Sequence, residues 1–219
     1  MSSINPYLAI PVLKDGISVE IVNSFKDCGN DHFQKNKYSK AIDEYTQGIE
    51  CFRHDHDTNE GFDDSLCSLL AYLYSNRAAS YVKTLTMEYL TNGIRDANMC
   101  IKLRPTWLKG YYRRAESLFL MKEYRLAALD YQKALELDPQ KSDTLLRKLR
   151  YCQAKDKEFD QKIIVHQISA QTEICKRGFN PIQNLIFTYA SKILYLKTRT
   201  NAEFHLYCGR CSIEGMYCN

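Results

Sequence analysis

The stretch TWLKGYYRRAESLFLMKEYRLAALDYQKALELDP, Thr106 to Pro139, restricts the fold of this chain more than any other. Its small residues Ala115, Ala127 and Ala134 alternate with tyrosines, so two antiparallel helices can meet closely at the alanines while the rings fill the space left over. Tyr111 begins the first helix in this reading, Ala115 marks the crossing, and Tyr124, Ala127, Tyr131 and Ala134 line the second. Pro139 stops that helix because it has no N–H to donate to the preceding turn. A two-helix unit of roughly 34 residues buries its apolar face only by stacking on further copies.

The chain supplies those copies. Ser18 reads as an N-cap before Val19, Ile21, Val22 and Phe25, a stripe that predicts a helix through Phe33, closed by Lys35, Asn36 and Lys37. From Tyr38 the residues Ala41, Ile42, Tyr45, Gly48, Ile49 and Phe52 predict a second helix, and Gly29, Tyr38, Ala41, Tyr45 and Gly48 repeat the spacing of the later unit. A third copy starts near Ser65, with LCSLLAYLYSNRAASYVKTL as one helix and NGIRDANMCIKLRP as the other. Aligning it requires an insertion of about three residues around Thr86 to Tyr89, which leaves Ala78, Ala79 and Ala97 at the close approaches. Gly93 then reads as a mild defect, about 1 kcal/mol against alanine in a helix interior.

This spacing is that of the tetratricopeptide repeat. The expected fold is all-α: a right-handed superhelix of three helix pairs, with repeats at about 18–53, 65–105 and 106–139, closed by a capping helix at 141–155. Leu145, Leu146, Leu149 and Cys152 form the cap's apolar face, and Lys148, Arg150, Lys155 and Lys157 its polar outer side. Residues 1–17, with Pro6, Pro11 and Gly16, read as an extended arm on the first helices. Residues 156–219 read as a helical extension: Ile163, Ile164, Ile168 and Ile174 can carry the cap helix on to Gly178, and NLIFTYASKILYL is a further amphipathic segment.

A formal charge of +4, from 30 basic and 26 acidic residues, is too balanced for a nucleic-acid stripe, so no nucleic-acid partner is expected. The N-terminus lacks a basic region followed by a long apolar one, and the longest apolar run, Leu185 to Leu196, is short and holds Lys192. The expectation is a cytoplasmic protein, monomeric, with no membrane partner. Cys28, Cys51, Cys67 and Cys100 fall within helical patterns and read as buried thiols without disulfides.

Two clusters suggest metal chemistry and fall short of it. His54, Asp55, His56 and Asp57 are adjacent on a polar stretch, Arg53 to Asp64, where neighbouring side chains rarely converge on an ion; a solvated loop or frayed helix end is preferred. Cys208 and Cys211 form one C-x-x-C pair with no second pair at a suitable distance, so free thiols are expected and neither metal nor cofactor is assigned.

The first helices of stacked pairs line a concave groove, where polar residues are candidates for ligand contact. Lys26 and Asn30 lie four apart on one face, Asn76 occupies the corresponding helix of the second repeat, and Lys109 and Arg113, again four apart, share a face of the third. Three cations and two amides can hold two carboxylates at once, which suits a peptide C-terminus ending in an acidic residue. Phe33 is a candidate apolar pocket beside them, with core packing the alternative.

At these residues the chain resembles the three-repeat carboxylate-clamp domains of co-chaperones. FKDCGN carries that family's first lysine and asparagine as Lys26 and Asn30, LYSNRAASY the second asparagine as Asn76, and KGYYRRA the last lysine and arginine as Lys109 and Arg113. The resemblance covers about residues 18–155 and implies that these five side chains grip the terminal carboxylate and last aspartate of a heat-shock chaperone's Glu-Glu-Val-Asp tail. It implies a non-catalytic adaptor for the heat-shock protein 90 or 70 class. Two alternatives stand beside it: the targeting half of a phosphatase, isomerase or ubiquitin ligase whose catalytic part is missing or degenerate here, with residues 156–219 the start of something truncated, and a scaffold that binds internal peptide segments.

Overall fold

The computed structural model describes residues 10–55 and 63–176. The chain divides into two compact units, Met1–Gln153 and Ala154–Asn219. In the first, strand β1 (Ile10–Leu13) precedes helices α1 (Val19–Gln34) and α2 (Tyr38–Glu50), and strand β2 (Phe52–Asp55) follows them. Two more helix pairs come next, α3 (Asp64–Thr84) with α4 (Met87–Leu103) and α5 (Leu108–Leu120) with α6 (Tyr124–Leu137). A short 3₁₀ turn, Pro139–Lys141, ends the third pair, as the proline requires, and leads into α7 (Ser142–Lys176).

Each pair turns at one non-glycine residue in the left-handed region: Asn36 (φ 57°), Leu85 (φ 59°) and Lys122 (φ 65°). In the first and third pairs the turn is closed by the same bonds, Lys37 N–H to His32 C=O at 2.9 Å and Glu123 N–H to Leu118 C=O at 2.9 Å. The second pair absorbs its insertion on the α4 side, beginning at Thr86, whose Oγ accepts from the Tyr89 amide at 3.3 Å. Met87 to Tyr89 form an added turn ahead of the packing positions, with Met87 exposed and Tyr89 stacked on Tyr81 at 5.3 Å.

The core follows the small and aromatic positions of the repeat. Ala41, Ala78, Ala97, Ala115, Ala127 and Ala134 are buried, as are Tyr45 and Tyr131. A Cβ on Gly29 would enter the Tyr45 ring at 2.5 Å, and one on Gly93 would lie 2.7 Å from Ser117 Oγ. Gly93 is therefore no defect: the missing side chain lets α4 lie against α5, which outweighs its low helix propensity.

Several expectations need correction. Residues 10–13 form a true strand, paired antiparallel with 52–55 in the register Ile10 to Asp55 and Leu13 to Phe52. Phe52, read as the last residue of a helical stripe, lies in this ribbon with its side chain buried, and Arg53 to Asp55 are strand instead of loop or frayed helix. Asp63 caps α3, its Oδ1 accepting from the Ser65 amide at 2.8 Å. Cys28 is exposed, whereas Cys51, Cys67 and Cys100 are buried free thiols. Lys148, assigned to the outer side of the cap, is half-buried and paired.

Of the second unit, α7 continues to Lys176, where Glu158 accepts from Lys155 and Lys162, both at 2.8 Å. The segment NLIFTYASKILYL and the C-x-x-C pair lie outside the described residues.

Candidate functional site

The first helix of each pair supplies the candidate residues: Lys26 and Asn30 on α1, Asn76 on α3, Lys109 and Arg113 on α5. Two of them touch across repeats. Asn76 Nδ2 donates to Asn30 Oδ1 at 3.0 Å, and the Tyr45 hydroxyl from α2 donates to the same oxygen at 2.8 Å. With its oxygen doubly engaged, the Asn30 amide is fixed so that its NH₂ can donate elsewhere. Burial pushes the Tyr45 phenol up to about 12, and both Asn76 and the Arg113 charge pull against that rise.

The three cations differ in their surroundings. Lys26 is half-buried, and its Nζ donates to the neutral Asn23 Oδ1 at 2.6 Å. Lys109 is exposed, with Nζ 5.5 Å from the centroids of both the Tyr72 and Trp107 rings, an aromatic shelf that holds the ammonium without neutralising it. Neither has a carboxylate partner among the described residues. Arg113 does: its Nη1 donates to Glu116 Oε2 at 2.8 Å, while its Nε is buried with no partner among the described residues. Lys109 and Arg113 also line a cleft of about 460 Å³, with Leu108 and Tyr112 beside them on α5 and Asp143 and Leu145 across it on α7.

The structure therefore brings Asn30 and Asn76 into contact and sets Lys109 and Arg113 along one cleft. Lys26 makes no hydrogen bond or ion pair to the other four and is tied to them by sharing the α1 face with Asn30. Phe33 packs against the core and lies edge-on to Tyr38 at 5.4 Å. No group of three or more metal-ligating side chains occurs among the described residues.

Three participants escape a reading by sequence. Tyr45 was legible as a core ring but not as a donor to Asn30. Glu116 and Lys148 join at 3.0 Å across about 30 residues of chain, and Lys148 Nζ also donates to the Tyr112 hydroxyl at 2.8 Å. Burial alone would raise the Glu116 carboxyl, but the Arg113 and Lys148 charges hold it below its ordinary value. Burial would likewise lower Lys148, and its bonds to Tyr112 and Glu116 carry it above. The only forewarning was helical spacing, which places Arg113 and Glu116 on one face.

Paired helices in this number, with small residues at their crossings and a polar face on the first helix of each pair, define a helical-repeat binding domain. Residues 108–141 match the tetratricopeptide repeat family, and the first unit has the helix-pair fold seen in solved tetratricopeptide domains. It is similar to the Hsp70-Hsp90 organizing protein 2 of Arabidopsis thaliana, 40% identical over 120 residues that make up 55% of this chain and 18% of that one. It is also similar to serine/threonine-protein phosphatase 5 of Mus musculus, 31% identical over 140 residues, 63% of this chain and 24% of the phosphatase. Among solved structures it resembles the first tetratricopeptide domain of Spaghetti (RPAP3) bound to the HSP90 peptide SRMEEVD, with 25% identity and a TM-score of 0.51 over 63% of this chain and 97% of that domain. The match spans about a fifth of the length of these curated relatives.

Proposed function

We propose that the first unit is an adaptor that holds the free acidic C-terminus of a heat-shock chaperone of the 90 or 70 class. The observation that carries this is the contact between Asn30 and Asn76 across repeats, together with Lys109 and Arg113 lining one cleft and Lys109 held on aromatic rings without a carboxylate partner among the described residues. Lys26, Asn30, Asn76, Lys109 and Arg113 between them hold the terminal carboxylate and the side chain of the last aspartate. Charge-assisted bonds supply the strength and the amides fix the orientation. The similarity to the organizing protein and to a domain bound to an HSP90 peptide supports the reading. No helix among the described residues is long and apolar enough to cross a membrane.

Titration calorimetry with a peptide ending in Glu-Glu-Val-Asp tests this, beside the same peptide amidated at its C-terminus. The free acid binds at about micromolar Kd, near 8 kcal/mol, and the amide does not. Lys109→Ala and Arg113→Ala each weaken binding about tenfold or more. Equal affinity for acid and amide would replace the clamp by a groove for internal segments. The similarity to phosphatase 5 favours a second reading, a targeting domain for an enzyme, and phosphatase turnover by this chain would support it.

A further inference from the structure

Arg113 stands apart from Lys26 and Lys109 in already holding a carboxylate. Glu116, one turn further along α5, gives Oε2 to Arg113 Nη1 at 2.8 Å and Oε1 to Lys148 Nζ at 3.0 Å. Lys148 comes from α7 and is fixed in turn: it donates to the Tyr112 hydroxyl at 2.8 Å and lies 4.6 Å from the Tyr112 ring centroid and 5.6 Å from that of Tyr131. Glu116 is only 19% exposed and Arg113 24%, so water screens their interaction poorly. Glu116 holds the arginine through one nitrogen, and the buried Nε has no partner among the described residues.

A ligand carboxylate approaching Arg113 meets Glu116 beside it. Arg113 and Glu116 together are neutral and would attract no anion; Lys148 restores one positive charge to the group. By drawing Glu116 toward α7 through Oε1, Lys148 also keeps that carboxylate from closing on Arg113 with both oxygens. We infer that Lys148 is a positioning residue of the binding site, acting through Glu116 to keep the Arg113 fork open and positive for a ligand carboxylate. The inference rests on the clamp reading and adds a contribution from the capping helix to the five groove positions.

The test is a double-mutant cycle by calorimetry with the free-acid and amidated Glu-Glu-Val-Asp peptides, on the full chain, with thermal unfolding followed alongside. Lys148→Met weakens the free acid about tenfold, whereas Lys148→Arg, which keeps the charge, stays within about threefold of the parent. Glu116→Gln binds at least as tightly as the parent, and in that background Lys148→Met costs less than about threefold, because no competing carboxylate remains. A tenfold loss that persists with Gln at 116, or weaker binding by Glu116→Gln alone, would overturn the inference while leaving the clamp intact. Failure of the parent and of Glu116→Gln to distinguish acid from amide would overturn the clamp, and the inference with it.

Discussion

Arg114 and Asp130 form a two-pronged buried ion pair, Nε to Oδ2 and Nη2 to Oδ1 both at 2.7 Å, and the third nitrogen, Nη1, donates to Asn98 Oδ1 of the preceding repeat at 2.7 Å. Arg77 repeats the arrangement one unit earlier, with both prongs on Asp96 at 2.8 Å and Nη1 on Thr46 Oγ1 at 2.9 Å. Each arginine joins the two helices of its own repeat and binds them to the repeat before. Among the described residues α1 is preceded by the strand β1 and not by a helix pair, and Cys28, at the matching position, is exposed. This stitching sets the relative placement of the helices that carry Asn30, Asn76 and Arg113.

Removing one partner leaves a buried charge without its counterion. Asp130→Ala is expected to destabilise the first unit by about 3–5 kcal/mol in urea unfolding followed by circular dichroism. Replacing both partners, as in Arg114→Met with Asp130→Leu, costs much less, since no lone charge is left. Equal losses in the single and double variants would show that the pair is not the source of the effect.

Gly93→Ala should destabilise, although helix propensity alone favours alanine by about 1 kcal/mol. The new methyl meets Ser117 Oγ at 2.7 Å, and overpacking of this kind costs about 1–3 kcal/mol. Adding Ser117→Ala removes the obstructing oxygen and recovers most of the loss, which thermal melts of the two variants can check.

Tyr45→Phe removes one of the two donors on Asn30 Oδ1 and lets the amide turn. About 1 kcal/mol of stability goes with the hydrogen bond. Affinity for a free-acid peptide should fall several-fold, about as far as one lost neutral hydrogen bond allows, and the effect should vanish in an Asn30→Ala background. A loss that persists there would place Tyr45 outside the site.

Alkali should unfold the first unit through its tyrosines. Burial pushes Tyr45 up to about 12 and raises Tyr74, Tyr81 and Tyr131 as well. An unfolded tyrosine loses its proton near pH 10 while these stay protonated in the fold, so the unfolded state binds fewer protons and stability falls as pH rises from about 10 toward the folded values. Tyrosinate absorbance and helical circular dichroism, followed together from about pH 9 to 12, should show a late group of tyrosines that ionise in step with loss of helix. Ionisation of all tyrosines near pH 10 with helix retained would contradict the burial described.

The repeat was readable in advance because its information is local: an alanine or glycine where helices cross, a ring beside it, and a proline at the end all act within one or two turns. The same locality concealed the ribbon, since Phe52 continues a helical stripe yet pairs with Leu13, far earlier in the chain. Gly93 looked like a flaw because propensity concerns its own helix, whereas its use is to α5 and Ser117. Cys28 fitted an apolar pattern, but burial at that position depends on a helix pair packed ahead of it, and among the described residues only β1 precedes α1.

The sequence by itself determined three helix pairs, their crossings, and the five polar residues on the first helix of each, because helical periodicity alone fixes which residues share a face. Tertiary structure decided what those residues meet. Asn30 and Asn76 touch, Tyr45 orients the amide, and Arg113 shares Glu116 with Lys148, all through contacts between helices distant in sequence. Such contacts depend on how closely and at what register the helices pack, and that follows from the whole core together with the arginines that stitch one repeat to the next.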